Sequence, residues 1–369
     1  MSDNLFEARE KLKRPEELIG VDIFAGAGGL SAGAELAGVS VKYAIEIWPS
    51  AAATFRRNHP HATVINRSIT DIDPNAEIDC NKVFVVMGGP PCQGFSLSNL
   101  RDRNMDNPKN HLFEEFVRFV NDLKPDWFIF ENVYGLKNME KGKVIEVIAD
   151  RFREIGYTVS RPTILWANNY GVPQKRNRLF LVGNRVGVEF EFPETTECNV
   201  TVNDAFSDLP SLGNGDMIDI ADYTLDIDHC SEYARSMRAY SEHPMQNYVS
   251  RSNDLVIQRY QNIPQGGNWR NIPEELMQNY KDKQRCHSGI YKRLRSDSQS
   301  VVISNYRKMM LIHPTEDRGI SVREAARLQS FPDSYIFEGP ISHIQQQIGN
   351  AVPPLLAKAV INKILSYYE

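Results

Sequence analysis

The chain has 369 residues, a formal net charge of −5 and five cysteines, and this length suits one large domain with a smaller one. The cysteines, at positions 80, 92, 198, 230 and 286, show no CxxC spacing, which argues against a metal site and a disulfide framework. No apolar run approaches the length of a membrane span, and the polar start at 1–14 does not resemble a signal peptide. We therefore expect a soluble, intracellular protein without a metal.

The first predicted strand covers residues 18–24, and a glycine-rich turn leads from it into a helix at 30–36. Glycines let a ligand approach the backbone closely, and the start of a helix offers free N–H groups. Ser31 stands where a dinucleotide-binding GxGxxG motif has its last glycine. A second predicted strand ends at Glu46, where a carboxylate can hold a ribose diol. The turn alone is weak evidence, and it does not match a dinucleotide site.

A third predicted strand, at 82–87, is followed by two glycines, two prolines and Cys92. The fixed proline φ leaves the chain few ways to turn at this point. In a doubly wound sheet, ligands and chemistry lie at the carboxyl ends of the strands. A thiol in that position is well placed as a nucleophile. The alternative is a buried, unreactive cysteine.

Two further segments bring charged groups to strand ends. The apolar run at 125–133 ends in Glu131 and an amide, which is an unusual place for a charge unless a ligand needs it. Glu131 could instead cap the following helix. Arg176 and Arg178 alternate at the start of another strand, so both guanidinium groups share one face. An ordinary solvated strand edge would look similar.

Taken in this order, the segments resemble the DNA (cytosine-5)-methyltransferase family over residues 19–190 and 310–369. The matching motifs are the cofactor motif at 22–30, Pro-Cys-Gln at 91–93, Glu-Asn-Val at 131–133, Gln-x-Arg-x-Arg at 174–178, and two C-terminal motifs at 321–332 and 347–354. The resemblance implies an α/β fold: a Rossmann-like, mostly parallel, doubly wound methyltransferase sheet with a smaller target-recognition domain. We expect the catalytic and cofactor-binding domain at 1–190 plus 313–369, and the target-recognition domain at 191–312.

The resemblance also implies the reaction, which is transfer of a methyl group from S-adenosyl-L-methionine to C5 of a cytosine in a specific double-stranded DNA sequence. The product cofactor is S-adenosyl-L-homocysteine, and the cytosine must be flipped out of the duplex. Cys92 would add to C6 of the ring, which makes C5 nucleophilic. Glu131, protonated because burial raises its pKa, would donate to N3. Arg178 would hold O2, and Arg176 would contact Glu131 or the substrate backbone.

The family's cofactor contacts can be placed on this sequence. Glu46 would bind the ribose, and Ile47 would face the adenine. Where the family commonly has an acidic residue before an isoleucine, this chain has Ser68, so either Ser68 or Asp71 contacts the adenine amino group. The expected cofactor-binding residues are Phe24, Gly26, Gly28, Gly29, Leu30, Glu46, Ile47, Ser68, Ile69, Gly89, Pro90, Leu112, Asn350 and Ala351.

Charge is distributed unevenly in the region assigned to target recognition. Residues 189–228 hold eleven Asp and Glu and no Lys or Arg, whereas residues 231–310 hold thirteen Lys and Arg against seven Asp and Glu. Phosphate contact needs local positive potential, so we assign DNA recognition to 231–310, including the turn-rich stretch 263–270. The polar stretch 93–110 is expected to close over DNA. The expected DNA-binding residues are Gln93, Ser96, Ser98, Arg101, Trp269, Arg270 and Arg293.

Two alternatives compete with this prediction. The resemblance implies that a tRNA-methylating branch of the same family carries little sequence between the arginine motif and the C-terminal motifs, whereas here that gap exceeds 100 residues. A catalytically inactive homologue would not be expected to keep Cys92, Glu131, Arg176 and Arg178. The predicted setting is bacterial restriction–modification or an orphan methylase, acting as a monomer at the nucleoid in the bacterial cytoplasm. A cognate restriction endonuclease is a possible functional partner without a stable complex.

Overall fold

The computed structural model describes residues 11–79, 82–91, 112–196, 198–279 and 288–369. Its main sheet has the order β3-β2-β1-β4-β5-β8-β6, and β7 also pairs with β8. The strands of this sheet are β1 (Ile19–Ile23), β2 (Ser40–Ile45), β3 (Thr63–Ile65), β4 (Val85–Gly88), β5 (Trp127–Val133), β6 (Thr158–Val159), β7 (Thr163–Trp166) and β8 (Asn177–Asn184).

The sheet is mixed. The five strands from β3 to β5 are parallel, and β8 runs antiparallel to β5, β6 and β7. The α/β fold is therefore confirmed. The sequence pattern did not indicate that β8 pairs with its neighbours in the antiparallel direction. The strand order reverses at β1, which lies between β2 and β4. In such sheets the crevice at the carboxyl ends beside the reversal is the usual place for a ligand.

Helices cover both faces of the sheet and continue into the C-terminal part of the chain. Those of the first half are α1 (Gly29–Leu36), α2 (Pro49–Asn58), α3 (Pro74–Glu77), α4 (Leu112–Leu123), α5 (Gly135–Asn138) and α6 (Lys143–Glu154). Those of the second half are α7 (Val202–Phe206), α8 (Glu232–Arg238), α9 (Asp254–Gln261), α10 (Tyr306–Met309), α11 (Val322–Leu328), α12 (Ile341–Asn350) and α13 (Pro354–Leu365).

Alternating side chains of the central strands divide between two hydrophobic layers. On β5, Trp127 and Ile129 pack towards α13, whereas Phe128 and Phe130 pack towards α4 and α6. This is the period-2 pattern of a strand buried on both faces. All four side chains are buried, so the ends of the central strands are held rigidly where ligands would bind.

The C-terminal helix returns to the first glycine turn. Helix α13 packs against α1, and Gly33 allows the close approach because a β-carbon there would lie 2.5 Å from that of Ala357. A β-carbon on Gly29 would collide with the carbonyl oxygen of Val352. The first and last motifs of the chain are therefore in direct contact.

The segment between β8 and α11 packs in two places. Helix α7 and a small antiparallel sheet of β9 (Met217–Ile220) and β10 (Met245–Tyr248) lie against α11. A separate small apolar cluster includes Tyr260, Tyr291 and Ile312. The division of the chain into a catalytic and a target-recognition domain stays a prediction. Among the described residues, no helix has the length and apolar character needed to cross a membrane.

Candidate active site

A cavity of about 300 Å³ opens at the carboxyl edge of β1, β2, β4 and β5. Twelve of the fourteen expected cofactor residues line it: Phe24, Gly26, Gly29, Leu30, Glu46, Ile47, Ser68, Ile69, Gly89, Leu112, Asn350 and Ala351. Sequence analysis missed its other lining residues, which are Ala25, Ala27, Ile45, Trp48, Ala51, Arg67, Pro91, Gln347 and Val352. Glu131, expected in catalysis, lines the same cavity.

The glycine turn forms one wall of this cavity in an unusual backbone conformation. Phe24 has a φ of 64°, which is rare for a bulky residue, and Gly26 has a φ of 56°. A β-carbon on Gly26 would point into open space, so the backbone there is accessible to a ligand. The N–H of Gly26 donates to Oε2 of Glu46 and that of Trp48 donates to Oε1, both at 2.7 Å. Burial raises the pKa of Glu46, and these two backbone donors oppose the rise.

Two of the expected cofactor residues do not line the cavity. A β-carbon on Gly28 would lie 2.6 Å from the hydroxyl of Tyr335, so Gly28 is needed for packing behind the turn. The carbonyl of Pro90 accepts a hydrogen bond of 2.9 Å from the side-chain amide of Asn132. Asn132 therefore fixes the turn after β4, which leaves Pro91 on the cavity wall.

The turn at 68–72 contains the two alternatives for the adenine contact. Ser68 lines the cavity, with its hydroxyl 2.7 Å from that of Thr70, whereas Asp71 is not part of the lining. The guanidinium of Arg118, on α4, donates to the carbonyls of Ile69 at 2.9 Å and Ile72 at 3.0 Å. Arg118 thereby braces this wall, and no pattern in the sequence indicated that role.

Glu131 is buried near the end of β5, and Arg178 lies beside it on the neighbouring strand. The Nε atom of Arg178 is 2.8 Å from Oε1 of Glu131, yet Oε1 has no directed hydrogen bond among the described residues. A β-carbon on Gly89 would lie 2.5 Å from Oε2, so only glycine leaves room for the carboxyl group. Burial raises the pKa of Glu131, and the charges of Arg178 and Arg176 partly oppose that shift.

Arg176 is placed differently from the expectation. Its two Nη atoms donate to the carbonyls of Ile303 at 2.7 Å and Gly349 at 2.8 Å, rather than to Glu131. Its side chain is buried, and burial beside Arg178 lowers its pKa well below the usual value. The alternation along β8 correctly suggested two inward arginines but did not reveal that one of them joins β8 to the C-terminal segments.

Asp22, in β1, is a buried acid to which sequence analysis assigned no role. Its Oδ2 accepts a hydrogen bond of 2.6 Å from Ser31, and its Oδ1 has no partner among the described residues. Burial, together with the nearby charges of Glu46 and Glu131, raises the pKa of Asp22 to about 7. The sequence signal that could have identified Asp22 is its position as the one carboxylate in the apolar strand 19–23.

Arg293 was expected to bind DNA, and the structure places it inside the protein. Its guanidinium is buried and donates to the carbonyls of Tyr260 and Ile263, at 2.7 and 2.6 Å, and to Asp317. It therefore braces the turn at 263–270 from the inside. Trp269 is half-buried, and Arg270 is exposed, 5.6 Å from the centre of the Trp269 ring. The remaining expected residues, Cys92, Gln93, Ser96, Ser98 and Arg101, lie outside the described residues.

Metal ligation has no support in the described ranges, where no group of three His, Cys, Asp or Glu side chains could hold an ion. Glu46 instead accepts from the glycine turn, and Glu131 pairs with Arg178. Burial raises the pKa of both carboxyl groups, so the arrangement suits an uncharged or cationic ligand.

Comparison with known proteins places this chain in a family. A model of the C-5 cytosine-specific DNA methylases matches residues 19–366. The chain is 36% identical over 351 residues to the type II methyltransferase M1.HphI of Haemophilus parahaemolyticus, covering 94% of this chain and 86% of that protein. It is also 36% identical to M.DdeI of Desulfomicrobium norvegicum, with 95% and 89% covered. A crystal structure assigned as an Escherichia coli prophage DNA modification methyltransferase superposes with a TM-score of 0.76 at 25% identity, covering 95% and 99%. The chain therefore belongs to the C-5 cytosine-specific DNA methylase family.

Proposed function

We propose that this DNA (cytosine-5)-methyltransferase binds S-adenosyl-L-methionine in the cavity beside the glycine turn and acts on cytosine through Cys92, Glu131 and Arg178. The observation that carries the proposal is the position of Glu131, whose buried carboxyl group lines the same cavity as the glycine turn and pairs with Arg178. The chain follows the cavity wall up to Pro91, the residue before Cys92 in the sequence.

The residues of the cavity fit the proposed cofactor. Apolar side chains such as Leu30, Ile45 and Trp48 suit an adenine ring, and Glu46 suits a ribose diol. The open space at Gly26 gives a ligand access to the backbone. Bound there, S-adenosyl-L-methionine would supply an electrophilic methyl group, and S-adenosyl-L-homocysteine would be left.

Each protein group then has a separate task on the cytosine. The Cys92 thiolate would add to C6, because this converts the unreactive C5 into an enamine carbon. Glu131 would donate its proton to N3, and burial favours this role because it raises the pKa of the carboxyl group. Arg178 would hold O2 and keep the Glu131 carboxyl group in place. Loss of the C5 proton and release of Cys92 would complete the reaction.

We further propose that residues 191–312 choose a specific double-stranded sequence. The excess of Lys and Arg in 231–310 supports phosphate contact, and the exposed Arg270 next to Trp269 supports base reading from a turn. The relatives named type II methyltransferases favour a bacterial restriction–modification setting, with a cognate endonuclease acting on the same sequence. Action as a cytoplasmic monomer belongs to the same proposal.

The proposal can be tested with the variant Cys92→Ser and a matched control, Cys198→Ser, whose side chain is exposed. Methyl transfer from radiolabelled S-adenosyl-L-methionine to duplex DNA should be lost only in Cys92→Ser. Only proteins that keep Cys92 should form a covalent adduct with DNA containing 5-fluorocytosine. Cofactor binding should be close to normal in both variants. Retention of activity by Cys92→Ser would exclude this residue as the nucleophile.

Sequence choice needs its own experiment. Residues 195–312 can be exchanged for the corresponding segment of a relative that methylates a different sequence. A chimera that binds the cofactor and methylates the donor's target would support the assignment. An active chimera that still methylates the original target would place sequence choice in the catalytic domain.

A further inference from the structure

A chain of hydrogen-bonded side chains runs from the surface to the back of the glycine turn. The hydroxyl of Tyr335 donates to the carbonyl of Ala27, a residue that lines the cavity. Nε2 of His59 is 3.1 Å from that hydroxyl, and Nδ1 of His59 is 2.9 Å from Oε2 of Glu35. The exposed His61 lies at the outer end, with Nε2 2.8 Å from Oε1 of Glu35. Tyr335 and His59 are both buried.

The protons in this chain can be counted. Tyr335 has one hydroxyl proton, and a carbonyl can only accept, so that proton lies towards Ala27. The Tyr335 oxygen must then accept from Nε2–H of His59. The remaining nitrogen, Nδ1, lies 2.9 Å from a carboxylate oxygen that also only accepts, so Nδ1 can take part in that contact only as a donor. His59 thus links the Tyr335 hydroxyl to Glu35.

We propose that Tyr335, His59 and Glu35 form a positioning relay that fixes the peptide between Ala27 and Gly28 and thereby sets the affinity for the cofactor. This inference rests on the proposed cofactor site. Because the peptide unit is planar, holding the Ala27 carbonyl also fixes the direction of the Gly28 N–H. Gly28 has no side chain because a β-carbon would lie 2.6 Å from the Tyr335 hydroxyl and 2.9 Å from Nε2 of His59. The three relay residues are positioning residues, since none of them lines the cavity.

The surroundings of Tyr335 keep its hydroxyl a donor. Burial raises the pKa of Tyr335, and the nearby charges of Glu35 and Asp22 act in the same direction, so the phenol stays protonated. Glu35 of α1 faces His59 from the other side, which holds the imidazole ring against the Tyr335 hydroxyl. Loss of the Tyr335 hydroxyl should therefore free the Ala27 carbonyl and weaken cofactor binding.

The first experiment measures the dissociation constant for S-adenosyl-L-homocysteine by calorimetry, together with KM and kcat. Tyr335→Phe should weaken binding by about threefold to tenfold, the effect of one lost hydrogen bond, and should leave kcat at saturating cofactor unchanged. Tyr157→Phe is the matched control, since that buried hydroxyl donates to the carbonyl of Pro125, outside the cavity lining, at 2.7 Å.

A second comparison separates positioning from simple packing. Glu35→Gln keeps an oxygen that can accept from His59, so its affinity for S-adenosyl-L-homocysteine should stay closer to that of the wild type than the affinity of Glu35→Ala, which removes the acceptor. Wild-type protein that fails to bind S-adenosyl-L-homocysteine would overturn the proposed cofactor site itself. Equal binding by wild type and Tyr335→Phe, or by Glu35→Gln and Glu35→Ala, would overturn the relay alone.

Discussion

Replacing Asp22 by asparagine should change how the stability of the protein depends on pH. Asp22 is fully buried, its Oδ2 accepts one hydrogen bond from Ser31, and its Oδ1 has no partner among the described residues. Burial therefore raises its pKa from 3.8 to about 7. The native state holds this proton more tightly than the unfolded state, so stability is lost as the pH rises through that window. A shift of this size corresponds to an upper estimate of about 4 kcal/mol.

The assay compares urea unfolding of wild type and Asp22→Asn at pH 5 and pH 8. Asparagine does not titrate, so the difference in unfolding free energy between the two proteins should move in favour of the variant by about 3 kcal/mol from pH 5 to pH 8. Because the difference at pH 5 is compared with the difference at pH 8, any pH-independent effect of the amide on the unfolding free energy cancels. Asp150→Asn, which removes an exposed carboxylate, is the control and should show no such movement. The same difference at both pH values would refute the argument that Asp22 is buried as a protonated acid.

Three further predictions follow from the site. Glu131→Gln should retain much more activity than Glu131→Ala, whose rate should fall by about 10²–10⁴-fold in a methyl-transfer assay, because the amide can still donate to N3. Burial raises the pKa of Glu131, so its protonated form persists to higher pH. The methyl-transfer rate should decline as the pH rises through this raised pKa. If the same decline is seen in Glu131→Gln, it belongs to another titrating group. Arg293→Ala should lower the unfolding free energy by about 1–3 kcal/mol, because the carbonyls of Tyr260 and Ile263 lose their buried donor. Arg270→Ala, at an exposed position, should change it by less than about 0.5 kcal/mol and weaken DNA binding in a salt titration.

The parts of the site that the sequence predicted are those where a local pattern has one structural meaning. An apolar run stopped by glycine and proline places its next residues at a strand end, and parallel strands gather those ends at one edge. Glu46, Gly89 and Glu131 therefore line a single cavity although 85 positions separate the first from the last. The antiparallel pairing of β8 could not be predicted this way, because a buried strand reads as the same apolar run in either direction.

Arg176 and Arg293 show why a sequence pattern does not reveal the partners of an arginine. A guanidinium group carries five donors, so it can satisfy several carbonyls inside the protein as readily as phosphates outside it. The sequence shows that Arg293 is charged, but it does not show that the carbonyls of Tyr260 and Ile263 accept its hydrogen bonds. The same holds for Arg176 and for Arg118, whose partners are carbonyls that no motif marks.

Contacts between distant motifs explain why the two ends of the chain must be read together. Gly29 and Val352 both line the cavity, and the carbonyl of Val352 occupies the space that a side chain at position 29 would need. Arg176 donates to Gly349, so the strand that carries Arg178 is tied to the helix that brings Asn350 to the cavity. A substitution that loosens this tie would move groups proposed for cofactor binding and for catalysis at once. Effects on KM for the cofactor and on kcat should therefore be correlated for substitutions at Arg176, and separable for those at Tyr335.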